Sequence, residues 1–586
     1  MKVYEAVAKT LSQLGVDTTF GLVGSGNFGL IDRMTRHCGI AFYASRHEAA
    51  AVAMADGYAR VSGKLGVCTV HQGPGVTNTL TALTEAVKAR TPLLLLAGDT
   101  ATTALYQNLD VDQDGVAGSV GAGIERIRGA NTAVEDIARA VRRATKELRP
   151  IVISLPIDIQ EQDCEAEEPP AFVEQESVGP RPSEKAVSQV ADLLESSSRP
   201  AIIAGRGAVL AAARSHLEAL GDRIGALFAT SMMAKGFFAG SRFDLGVSGG
   251  FASPLAARLL GEADVVLSFG ASLNTWTTKH GTLFAPAAQI VHCDLDPSAI
   301  GRVQPVTLGV VGDAAETAGA LADELARRDM SVEGFRTEAV RRAIEGFSWE
   351  GEFRDESTED TVDPRAALMV IEEMLPEERT VAVDCGHFAG FAAMHLSVPD
   401  AAGFVFAEAF QAVGLGMGMG MGAAVARPDR LAMVVVGDGG LLMCLGEIDA
   451  TVNLGLPILV VVIDDAAYGA EVHHFRSLGL PTDLALLGGI DFATIADAMG
   501  ASGLEVRGTG DLERLKEWIE APDGVMVVDC KVNPSVEGEY LKEAGRRHHL
   551  GQLRAALVRQ RTEGGGGSAC GANTFGRGAW LSGGPR

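Results

Sequence analysis

Apolar residues fall in short runs without polar alternation, and helix-patterned stretches separate them. Near the N-terminus the runs are VDTTFGLVG (16–24), KLGVCTV (64–70), TPLLLLAGD (91–99) and RPIVISLP (149–156). Such runs predict strands buried on both faces of a parallel sheet. The segments between them, HEAAAVAMADGYARVSG (47–63) and NTLTALTEAVKAR (78–90), carry helical spacing, so the unit is βαβ. An acidic, proline-containing stretch at 160–184 reads as a linker. The rhythm resumes with RPAIIAGRGAV (199–209), EADVVLSFGA (262–271) and AQIVHCDLDP (288–297) and fades near 335. It starts a third time with RTVAVDCG (379–386), LAMVVVGDGG (431–440), LPILVVVID (456–464) and DGVMVVDCKV (523–532). The expected architecture is α/β, three doubly wound parallel-sheet domains at 1–165, 180–335 and 360–545. A glycine-rich, aperiodic tail at 560–586 is expected to be disordered.

Composition narrows the partners more than the fold. The 586 residues are 47% hydrophobic and carry a net charge of −25. That charge disfavours nucleic acid and anionic membrane surfaces. The eight cysteines form no CxxC pair, so neither a zinc site nor a disulfide framework is signalled. Reduced thiols in a cytoplasmic protein are the expectation. No apolar run reaches the ~18 residues of a membrane span.

The sharpest motif lies between Leu431 and Gly469. One strand ends in Gly437-Asp438-Gly439-Gly440, helical spacing follows over Leu441 to Asn453, and a second strand ends in Asp464-Asp465. A right-handed crossover sets the two strands parallel. Both acids then lie beyond the carboxyl ends of the strands, where open α/β sheets bind ligands. Two oxygen ligands there suit a hard cation that takes further oxygens from phosphate. The glycines let backbone approach an anion. Magnesium holding a diphosphate is the direct chemical reading.

This segment resembles the signature of the thiamine-diphosphate-dependent enzymes, which opens with GDG and closes with a pair of Asn. The resemblance implies that magnesium is held by Asp438, Asp465 and the carbonyl of Ala467. Asp464 and Asp465 stand where the family has Asn. The first domain is similar to the family's pyrimidine-binding domain, and Glu48 falls on its glutamate. The resemblance implies that Glu48 hydrogen-bonds the aminopyrimidine and so activates the cofactor's C2–H. The apolar run after Glu48 suggests desolvation that would keep it a proton donor. Further cofactor contacts are implied for Gly73, Gly75, Val413, Gly437, Gly439, Gly440 and Tyr468. Candidate substrate contacts are Ser25, Asn27, His71, Gln72, Gln113 and His473. Tyr468, Glu471, His473 and His474 follow the metal loop as a candidate lid. The alternating GMGMGMG near residue 418 reads as close helix packing.

The domain order matches the acetolactate synthase and decarboxylase branch, although its Phe-Gln-Glu run is absent near Gln113. The implied function is cleavage and/or carboligation of a 2-oxo acid or related carbonyl compound by a homodimer or homotetramer. A simple decarboxylase or carbon–carbon lyase stays open, as does a non-catalytic or regulatory member of the fold. FAD also stays open: the segment FGASLNTWTTKHG (269–281) lies where relatives hold flavin, but Ser272 replaces the usual Arg. A nicotinamide enzyme would need a GxGxxG after a first strand, and no convincing instance is present.

Overall fold

The structure, a computed structural model, describes residues 1–104, 106–165 and 179–542. The tail at 560–586 and most of the linker lie outside the described residues. Three six-stranded sheets follow one another along the chain, and every pairing between their strands is parallel. Numbered within each sheet, the first (Thr18–Gly21 to Pro150–Pro156) and the third (Arg379–Val383 to Val525–Lys531) share the order 2-1-3-4-6-5. The central sheet (Pro200–Ala204 to Leu308–Val311) runs 6-5-4-1-2-3. Each order reverses direction beside its first strand, and that reversal opens a crevice at the strands' carboxyl ends.

The two like domains meet through helices. Glu48–Ser62 lies along Gly416–Ala426, and both are almost wholly buried. Glycine makes this approach feasible: a Cβ on Gly422 would stand 2.0 Å from the Met54 carbonyl oxygen. The glycine–methionine repeat is thus a packing device, as its composition suggests.

A buried ion cluster fixes the same junction. Arg60 pairs with Asp56 at 2.6 Å and Glu85 at 3.0 Å, all with side chains at most 4% exposed. Its Nη1 also donates to the Phe406 carbonyl at 2.9 Å. Glu85 in turn accepts from the backbone N–H groups of Ala409 and Phe410. The central domain is tied on by Arg206 donating to the Ala89 carbonyl and Lys235 donating to that of Ala393.

Candidate active site

Two adjacent strands of the third sheet carry the acidic residues. Leu431–Gly437 pairs with Ile458–Asp464, with Gly437 opposite Ile463. Asp438 and Asp465 therefore follow neighbouring strand ends. The expected single helix over Leu441 to Asn453 is two pieces, Asp438–Met443 and Gly446–Leu454. Asp438 starts the first of them, and its Oδ2 is buried without a hydrogen-bond partner. Burial, and then the Asp465 and Asp464 carboxylates, push the Asp438 acid well up from its usual range. Burial and Asp464 push Asp465 the same way. An orphaned buried oxygen among crowded carboxylates is a donor set that fits a divalent cation.

Asp464 has another task. Lys531 Nζ lies 2.6 Å from its Oδ2 and 2.8 Å from Asp529, so Asp464 is neutralised by the neighbouring strand. After Asp465 the chain passes through Ala466 at φ +57°. Backbone bonds from Leu487 to the Ala466 carbonyl and from Tyr468 to the Ala485 carbonyl hold this turn. Tyr468 then lies on Gly439, where a Cβ would be 2.6 Å from the ring. Opposite, Asp384 accepts the N–H groups of Gly414, Leu415 and Gly416, which fixes Val413 just before them.

These residues enclose a cleft of about 350 Å³ lined by Val413, Asp438, Asp465, Ala467 and Tyr468, with the glycines 437, 439 and 440. His387 also lines it, with Nε2 3.6 Å from Asp465 Oδ2. Burial pushes the His387 imidazole down to about 3. His473 stands behind, its ring centroid 5.2 Å from that of His387. Of the candidate lid residues, Glu471, His473 and His474 lie on the helix Gly469–Ser477, and Tyr468 immediately precedes it. Helical spacing buries His473 and leaves His474 exposed.

The other candidate residues gather at the carboxyl end of the first sheet. Asn27 spends its side chain on its own loop, accepting from Gly24 N and donating to the Leu22 carbonyl and Thr69. His71 Nδ1 accepts from Gly26 N at 3.0 Å, so the neutral ring presents its proton at Nε2. Gln72 and Gln113 both hold a buried side-chain oxygen without a partner, and Gln113 donates to the Gly98 carbonyl. Ser25 is exposed, while Gly73 and Gly75 open the next turn. Glu48 stands at the start of its helix, half-buried, and accepts from Asn78 at 2.9 Å. Every residue lining the metal-side cleft lies between 251 and 541, so Glu48 of the same chain is not in that cleft.

Sequence reasoning missed Asp384, His387 and Glu408. Glu408 lines the cleft and accepts from Gly386 N at 3.3 Å. Burial, reinforced by Asp384 and Glu85, pushes its carboxyl up to about 8. Glu408, Gln411, Phe251 and Trp276 also line a larger cleft of about 1000 Å³. That cleft opens at the central sheet's reversal point and includes Arg206, Gly207, Gly270 and Ser272.

Two like α/β domains with a carboxylate cradle, joined by a third, define the thiamine pyrophosphate enzymes, and the comparisons agree. Residues 1–116 match the thiamine pyrophosphate enzyme N-terminal TPP binding domain, 187–321 the central domain and 384–530 the C-terminal TPP binding domain. The chain is 30% identical to a sulfoacetaldehyde acetyltransferase of Castellaniella defragrans, over 88% of this chain and 90% of that protein. It is 28% identical to that of Rhodobacter capsulatus, covering 93% and 96%. It is 25% identical to the acetolactate synthase large subunit of Haemophilus influenzae, covering 91% and 94%. The chain belongs to the thiamine pyrophosphate enzyme family and is an acetolactate synthase-like enzyme of it. The relatives give no support to the non-catalytic alternative. Among the described residues no helix is long and apolar enough to cross a membrane.

Proposed function

We propose that this protein cleaves a 2-oxo acid, or a related carbonyl compound, beside its carbonyl group and passes the resulting fragment to a proton or a second carbonyl. The observation that carries this reading is the orphaned Asp438 Oδ2 facing Asp465 in a cleft floored by glycines 437, 439 and 440. Asp438, Asp465 and the Ala467 carbonyl would hold magnesium, and the glycine backbone would receive the diphosphate. Thiamine diphosphate, when bound, supplies a carbon nucleophile and an electron sink. Val413, fixed through Asp384, would offer the cofactor an apolar contact. Tyr468, packed on Gly439, would form a wall of the cleft that receives it.

Glu48 is the proton-handling carboxyl for the pyrimidine ring. Because it lies outside its own chain's cleft, a second copy supplies it, and the working unit is a homodimer or a pair of such dimers. The same copy brings Ser25, Asn27, His71, Gln72 and Gln113, of which His71 Nε2 and the two glutamine oxygens offer polar contacts to the substrate. His473 acts through His387. Were a flavin bound, the larger cleft that includes Ser272 would be its place, and a visible absorption band of the purified protein would reveal it; Ser272 in place of the usual Arg argues against one.

The test is a screen of the magnesium- and thiamine diphosphate-loaded protein against 2-oxo acids, with sulfoacetaldehyde included because two of the relatives are named for it. Carbon dioxide release or a new carbonyl product from one of these supports the reading. A loaded protein inert towards all of them contradicts it.

A further inference from the structure

A carboxylate at position 465 creates a need that an amide would not. A cation takes one of its oxygens, and the other stays in a buried site crowded by Asp438 and Asp464. Ligating carboxylates are themselves hydrogen-bonded in well-formed metal sites. Asp465 Oδ1 accepts from Ala467 N at 3.2 Å. The nearby cation, Lys531, is committed to Asp464 and Asp529 and also donates to the Ile490 carbonyl. What faces Asp465 Oδ2 is the imidazole of His387, with Nε2 at 3.6 Å.

The surroundings hold that imidazole in place. His387 is 8% exposed, and its ring is edged by Phe388, Phe391 and His473. Its carbonyl accepts from the Tyr540 hydroxyl. The space between imidazole and carboxylate exists because residue 469 is glycine: a Cβ there would stand 2.0 Å from Asp465 Oδ2 and 2.4 Å from His387 Cε1. Position, confinement and the cleared path all aim one side chain at one oxygen.

We propose that His387 is a positioning residue of the metal centre, its Nε2–H taking the second oxygen of Asp465 so that a carboxylate can serve where an amide otherwise would. The inference rests on the magnesium site of the proposed function and adds an outer partner to it. His387 does not touch the ion. It sets which Asp465 oxygen is free for coordination.

The test is a calorimetric titration of magnesium into the full-length protein with saturating thiamine diphosphate, for the wild type and four variants. Glutamine places its amide near the position of imidazole Nε2, whereas asparagine falls short of it. The expected result is a ~10–100-fold weaker magnesium affinity for His387→Asn, the usual effect of losing an outer partner. His387→Gln should keep the affinity. In Asp465→Asn the need disappears, so adding His387→Asn to it should change affinity by less than about 2-fold, the scatter of uncoupled sites. Unchanged affinity in His387→Asn overturns the proposal. So does an equal loss with and without Asp465→Asn, since that marks a merely structural role. A wild-type protein that takes up no magnesium would instead remove the metal site itself, and His387's role with it.

Discussion

Glu48 and Asn78 meet side chain to side chain, with Nδ2 of the asparagine donating to Oε2 of the glutamate at 2.9 Å. The turn before Glu48 is pinned to the third domain: Arg46 N donates to Glu447, and the Arg46 guanidinium pairs with Asp449 at 2.7 Å. The glutamate is therefore held on the helix Gly446–Leu454 side and away from its own chain's metal cleft. Exposed apolar side chains stand beside both half-sites, Val23 and Phe28 on the first domain and Leu442 and Met443 on the third. Such surfaces fit burial against another copy.

A complementation experiment follows. Glu48→Gln should bind thiamine diphosphate but lose ~10²–10⁴-fold in turnover, the usual contribution of a positioned acid–base group. Asp438→Ala should bind no cofactor. Mixed dimers of the two inactive variants hold one site with both residues intact. Coexpression should restore activity, measured on the substrate found by the screen, whereas an intrachain site would leave the mixture inactive.

Arg60 gives a stability prediction. Replacing it with leucine leaves Asp56 and Glu85 buried without their cation, and breaking such a pair costs ~3–5 kcal/mol. Denaturant melts of Arg60→Leu should show a loss of that size. A loss below about 1 kcal/mol would mean that water replaces the guanidinium.

Glu408 makes stability pH-dependent. Its folded-state carboxyl is raised from 4.5 to about 8, so the folded protein binds more protons than the unfolded chain between those values. Stability contributed by the neutral acid is fully present below pH 4.5 and is lost as pH rises through about 8. Thermal melts from pH 6 to 9 should show the wild type losing more than Glu408→Gln. Parallel curves would mean that Glu408 is already ionised at neutral pH.

At Gly422 any side chain meets the Met54 carbonyl oxygen. Gly422→Val should cost about 1–3 kcal/mol, as overpacking does, and lower the melting temperature. An unchanged melt would contradict the close helix crossing.

The buried central strands were legible because both faces are covered and their runs are continuously apolar, as in Leu93–Asp99 and Leu431–Gly437. Edge strands such as Ala41–Ala44 and Ser502–Val506 are part-exposed, so they lack that signature. Asp438 and Asp465 were visible from spacing because two adjacent parallel strands fix where their ends lie. Asp384, His387 and Glu408 were not, since their partners lie elsewhere in the fold: Asp384 serves the loop at 414–416, and Glu408 is placed by Glu85 and Arg60 of another domain. His473 shows what a sequence neighbour conceals. Adjacency in sequence does not tell two neighbouring histidines apart, whereas the helix turns one inward and the other out.

The proposed function depends above all on Asp438 as the anchor of a magnesium–diphosphate cofactor. Calorimetric titration of thiamine diphosphate into the wild type and Asp438→Ala, each with excess magnesium, tests it most directly. Saturable binding is expected of the wild type and none of the variant, a loss beyond the ~10–100-fold seen for outer partners. Equal affinity in the two proteins would contradict it.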